Sequence, residues 1–199
     1  METFKNPTEK DVNLSKVKIL PEGGIQASYQ VTQSVDGEVS VIERTETCTR
    51  DVHPDLLRMF ADLRNIVGRV FGITSFLSLL ESDEMKLPAA KQELGRNFAR
   101  ELLEKIDVRG VAWSGSDDNR GVVITAVLET SNGLKTAINT PRIKTAQISY
   151  GFEEELETIV DNISHEVYAY LFEGKQAQLS LFGQGNAPAP EDMPEGEEI

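Results

Sequence analysis

Two dipeptides constrain this chain more than any other feature: Asp36-Gly37 and Asn132-Gly133. Both accept the positive φ angles of a tight hairpin turn, so each predicts two antiparallel strands. IQASYQVTQSV and EVSVIERTETCT flank the first, although Val39, Val41, Arg44 and Thr45 carry the β-branched signature only in part. VVITAVLET, the most strand-like run in the chain, enters the second. LKTAINTPRIKTAQISY leaves it as one bent strand or two, because Pro141 withholds a backbone donor. A further strand precedes each hairpin. In VNLSKVKIL, Val17 and Ile19 share a face before the turn Pro21-Glu22-Gly23-Gly24; VRGVAWSG is followed by the polar turn Ser116–Gly121.

Helical periodicity follows each group of strands. Over 54–72, Leu56, Met59/Phe60, Leu63, Ile66/Val67 and Val70/Phe71 recur at three and four, with Pro54 in the first turn and Gly72 at the end. Over 152–172, Phe152, Leu156, Ile159/Val160, Ile163, Val167 and Tyr170/Leu171 form a second stripe. Glu153, Glu154 and Glu155 stand in its first turn, where the helix dipole favours negative charge. Residues 73–87 fit a short helix, and 88–106 a longer one with Leu94, Phe98, Leu102 and Ile106 on its apolar face. The predicted class is α+β: antiparallel sheet with helices on one face, laid out as a duplicated strand-strand-strand-helix unit. Residues 1–174 are expected to form one domain, with halves at 13–72 and 107–174 joined by the helical stretch 73–106. Residues 175–199 are expected to be a flexible tail.

Chemistry is harder to find. The two histidines, His53 and His165, stand at no metal-ligand spacing, and Cys48 is the single cysteine. No phosphate-binding glycine loop is present. Ser116–Gly121 lacks the final glutamate of a calcium loop, and the acids of Glu81–Glu84 fit a solvated loop or helix cap. These residues predict a protein that is not an enzyme and holds no cofactor or metal. No run approaches the length of a membrane span, the first 20 residues lack a secretory pattern, and one cysteine fits a reducing compartment. A cytoplasmic location is therefore expected.

The net charge of −13, from 33 acids and 20 bases, argues against coating duplex DNA. The charge is uneven, however. From Asp107 to Ile148 four acids face five bases: Arg109, Arg120, Lys135, Arg142 and Lys144. Strict alternation puts Arg109, Val111 and Trp113 on one face of their strand and gives Arg142 and Lys144 a shared parity. With Tyr29, these bases and Trp113 are candidates for an open sheet face that tracks and stacks single-stranded DNA. Trp113 also suits a core position.

Gln178-Leu179-Ser180-Leu181-Phe182 is the remaining signal. It resembles the peptide by which bacterial and phage proteins bind the DNA sliding clamp: glutamine, leucine, Ser or Asp, leucine, phenylalanine. All five positions match, over five residues of 199. By ordinary residue usage, a fixed pentamer arises by chance in about one in several thousand chains of this size, and a match to the looser pattern in about one in several hundred. The physical logic stands beside the resemblance. Leu181 and Phe182 are adjacent apolar anchors, Leu179 adds a smaller one, and Gln178 offers an amide to fix register. The alternative is an edge strand that buries Leu179 and Leu181 and leaves Phe182 outside. The last nine residues carry Glu191, Asp192, Glu195, Glu197 and Glu198. This tail is similar to the acidic ends of bacterial single-stranded DNA-binding proteins but lacks their Pro-Phe tip, and a solubilising role is the plainer one.

The resemblance implies a replication or recombination accessory protein, with the sliding clamp as partner. The body would bind single-stranded DNA, or would act without DNA as a regulatory or inhibitory interaction protein. A homodimer is a further possibility, because a sheet open on one face can pair with another copy.

Overall fold

The computed structural model describes residues 7–35, 38–82, 86–116, 119–130, 132–145 and 150–175. The Asp36-Gly37 turn, the Gln178–Phe182 peptide and the acidic tail lie outside the described residues.

The alternating stretches form the expected strands: β1 (Val12–Ile19), β2 (Ile25–Val35) and β3 (Glu38–Cys48), then β4 (Ile106–Ser114), β5 (Gly121–Glu129), β6 (Lys135–Asn139) and β7 (Ile143–Lys144). Every pairing is antiparallel, and the sheet order is β3-β2-β1-β4-β5-β6. β7 pairs with the start of β5, beyond the stretch that β6 pairs. Between them Thr140 bridges the break at Pro141, its hydroxyl accepting from the Ile124 N–H at 3.0 Å. The order reads the same outward from the central β1–β4 pair, and each wing is followed by a helix.

Those helices are α1 (Pro54–Val70) and α4 (Glu153–Phe172). His53 caps α1, its Nδ1 accepting from the Asp55 N–H at 3.2 Å. The Glu153 carboxylate accepts from the backbone N–H groups of Tyr150 and Phe152 and so closes the start of α4. Ion pairs at their two ends, Arg69–Glu155 at 2.8 Å and Lys175–Asp55 at 3.5 Å, set the helices antiparallel. One core draws on both wings. Val17, Ile25, Ala27 and Tyr29 meet Leu63, Ile66, Val111, Ile124, Leu156 and Ile163, all almost fully buried. Each buried Val, Leu or Ile side chain among them contributes about 1.5–3 kcal/mol.

Between the wings run α2 (Ile73–Glu81) and α3 (Ala89–Glu104), with α2 bent 73° away from α1. Two expectations change here. Ile106 belongs to β4, not to the helix. The α3 stripe is also rotated: Ala99 is buried, whereas Leu94 and Phe98 are exposed. Small residues set this rotation, because α3 lays Gly95 and Ala99 against its neighbours, with Leu80 packed on Gly95. Among the described residues, no single helix is long and apolar enough to cross a membrane.

Candidate functional site

α1 and α4 pack on one face of the sheet. On the other face the strand registers align Lys16 and Lys18 of β1, Gln26, Ser28 and Gln30 of β2, Thr45 and Thr47 of β3, Thr125 of β5 and Lys135 and Asn139 of β6. This face is hydroxyl- and amide-rich. Ser28 bonds Thr45 at 2.9 Å, and Thr125 donates to Asn139 at 2.7 Å.

Both expected aromatics turn the other way. Tyr29 is buried in the core, and its hydroxyl donates to Glu46 at 2.7 Å. Burial, then that hydrogen bond, pushes its pKa up to about 12. Trp113 pairs with buried Val122 and packs against the core, and its indole N–H is buried without a hydrogen-bond partner among the described residues. Val111 is also in the core. The expected wet face of Arg109, Val111 and Trp113 is therefore corrected, for a local reason. Val108 pairs with Ala126 and Gly110 with Thr125, so Arg109 is the extra residue of a β-bulge. The bulge resets the alternation, and Val108 and Val111 both point inward.

The candidate bases fall into two groups. Arg109 and Lys135 line a depression of about 550 Å³ on the open face, together with Lys18, Lys105, Glu104, Asp107 and Glu129. Arg109 donates to Asp107 at 2.6 Å, and Lys135 lies 3.6 Å from Glu129. Arg120, Arg142 and Lys144 gather around the turn between β4 and β5. Arg120 pairs with Asp161 of α4 at 2.9 Å. Arg142 lies in the break before β7 and not in a strand, so the parity expected with Lys144 does not apply. Its guanidinium donates to the Ser114 hydroxyl at 2.7 Å, to the Ser114 carbonyl at 3.1 Å and to the Asn119 carbonyl. It braces a turn in which Gly115 takes φ +77°. Lys144 lies opposite Gly121. Four of the five bases thus have a fixed partner, which lowers the positive potential they offer a phosphate chain. Lys16 and Lys18 were missed. Val17 and Ile19 on one face already placed both lysines on the other.

The C-terminal end of α4 carries a compact charged cluster. The His53, Asp55 and Glu166 ligand atoms lie within 4.8 Å of one another. The Lys175 ammonium sits among them, 2.7 Å from Glu166 and 3.5 Å from Asp55. Chiefly through the hydrogen bond to Glu166, its pKa is raised. The donor set could hold a cation only by displacing that ammonium. As it stands, it ties Lys175 back to the start of α1. Nearby, Arg50 donates to the Cys48 sulfur at 3.0 Å and to the Tyr170 carbonyl at 3.3 Å, and the Tyr170 hydroxyl donates to the Arg50 carbonyl. Burial pushes the Cys48 thiol up, but the hydrogen bonds and charge of Arg50 chiefly outweigh it and lower its pKa overall.

No family model, curated protein or solved structure matches this chain.

Proposed function

We propose that the protein is a non-enzymatic accessory of DNA replication or recombination, of bacterial or phage origin. It attaches to the sliding clamp through Gln178, Leu179, Ser180, Leu181 and Phe182, and it recruits or excludes other proteins there. The five-position match carries this reading. The anchoring of Lys175 by Glu166 and Asp55 supports it, because the last fixed point of the described chain lies three positions before Gln178. A peptide just past such a point can meet a partner without disturbing the core.

Binding of the 199-residue protein to a purified bacterial sliding clamp tests it, with Leu181→Ala/Phe182→Ala as the comparison. Loss of two central anchors is expected to weaken binding at least 100-fold, with an unchanged melting temperature. Absence of binding by the wild type would overturn the reading.

Single-stranded DNA binding is the second reading, favoured by Lys16 and Lys18 on the sheet face opposite α1 and α4. Without a stacking aromatic among the described strands, it would be electrostatic and steeply salt-dependent. Anisotropy of a labelled oligo-dT, with Lys16→Glu/Lys18→Glu as the comparison, measures it. Salt-insensitive binding, or binding untouched by the double substitution, would exclude that face.

A further inference from the structure

Five of the exposed large apolar side chains fall on the α2–α3 hairpin and its connection: Phe76, Leu79, Leu87, Leu94 and Phe98. Two contacts fix how the hairpin helices are rotated. Leu80 packs on Gly95, where an added Cβ would approach within 2.9 Å, and Glu81 pairs with Arg100 at 2.7 Å. With 3.6 residues per turn and antiparallel helices, Glu81 and Arg100 then occupy one flank. Phe76 and Leu79 of α2 and Leu94 and Phe98 of α3 occupy the opposite flank. Phe76 lies about one turn before Leu80 and Phe98 about one turn after Gly95, so the two rings are level. Leu79 and Leu94 form the next row. Their exposures are 43% for Phe76, 41% for Leu79, 71% for Leu94 and 60% for Phe98.

We propose that this flank is the interface of a homodimer, in which two α2–α3 hairpins pack about a twofold axis as a four-helix bundle. Three observations select a second copy as the occupant. The first is area. The four side chains leave roughly 400 Å² of apolar surface open, counting about 200 Å² for a whole aromatic side chain. With the polar rim of Ser75, Asn97 and Glu101, this approaches the roughly 800 Å² per partner of a standard stable interface, with an apolar centre. The second is charge. A chain of net charge −13 repels its own copies, and self-association needs a surface free of excess like charge. On this flank Glu101 is neutralised by Lys105, and the one acid of α2, Glu81, lies on the far side. The third is symmetry. The apolar flank runs along both helices of a two-helix unit, so two copies related by a twofold axis can set like rows against each other, as a closed dimer requires. The inference is independent of clamp attachment.

Sedimentation velocity of the full-length protein from about 1 to 100 µM tests it, a range that brackets ordinary dimer affinities. The wild type is expected to reach twice its 22.0 kDa, and Phe98→Asp to remain at 22.0 kDa, with dimerisation weakened at least 100-fold. Val41→Asp, on the exposed β3 edge, is expected to leave the dimer intact. A wild type that stays at 22.0 kDa throughout overturns the proposal. So does a dimer that survives Phe98→Asp, and one lost through Val41→Asp alone would place the interface on the β3 edge. If Phe98→Asp unfolds, Leu94→Lys carries the same test. Hydrogen exchange of the unaltered protein adds a check without substitution: α2–α3 amides should exchange more slowly at the higher concentration, and equal rates count against the interface.

Discussion

At the residue scale, Trp113 separates two ways of binding DNA. It is the single tryptophan in the chain, so its fluorescence reports one site. Its ring packs against the core, opposite the face that carries Lys16 and Lys18. Adding saturating oligo-dT is therefore expected to leave its emission intensity and wavelength unchanged. Stacking of a base on the indole would quench it strongly, and that result would require a different arrangement of β4. His165 makes a second residue-scale prediction, about pH. Its Nδ1 lies 2.9 Å from Glu9, while Tyr168, one turn away, donates to the Pro7 carbonyl at 2.8 Å. The hydrogen bond to Glu9 and then its charge raise the His165 pKa. A raised folded value means that the pair stabilises the fold fully below the unfolded histidine pKa of about 6.5, as long as Glu9 is ionised. That contribution disappears as pH rises through the folded value. The side chain is mostly exposed, so the effect is at most about 1 kcal/mol. In urea unfolding, the gap between wild type and His165→Ala should be wider at pH 5.5 than at pH 8.5. An equal gap at both values would show that the pair is not linked to folding.

At the element scale, tight backbone contacts decide what side-chain patterns cannot. Gly24 ends the β1–β2 turn at φ +81°, and an added Cβ would lie 2.1 Å from the Cys48 carbonyl oxygen. Gly133 has a similar φ of +75° in the second hairpin, with none of the described residues within 4 Å of its absent Cβ. Gly133→Ala should cost only the left-handed penalty of about 1–2 kcal/mol, whereas Gly24→Ala must also push β3 away from the turn. The second is expected to exceed the first by at least about 2 kcal/mol in urea unfolding, and comparable losses would refute the steric account. The same contrast explains what was legible beforehand. The strands, α1 and α4 follow directly from alternation and three-four periodicity, because each buries one regular stripe, Leu56 to Val67 in α1 and Leu156 to Tyr170 in α4. The open-face site was misread at Arg109, because a bulge leaves no trace in composition yet reverses every parity argument beyond it. α3 was misread because its contact with α2 runs through Gly95 and Ala99, and hydrophobicity ranks Leu94 and Phe98 above both.

At the scale of the whole molecule, the two accounts of Gln178–Phe182 predict opposite couplings between stability and binding. If Leu179 and Leu181 formed an edge strand, they would be buried against the body, and deleting them would cost about 2–5 kcal/mol each. If the peptide serves a partner, the interactions seen among the described residues are enough to hold the body: the α1–α4 pairing, the core shared by both wings, and the cluster around Glu166. Truncation after Lys175 is then expected to shift the urea midpoint by no more than about 0.5 kcal/mol equivalent, the range of ordinary surface changes, while abolishing clamp binding. Adding clamp should raise the melting temperature of the full chain only slightly, because a peptide outside the cooperative unit couples binding weakly to unfolding. The two measurements must move independently. A truncated chain that loses stability and binding together would return Leu179 and Leu181 to the core, and the attachment proposed for this protein would lose its physical basis.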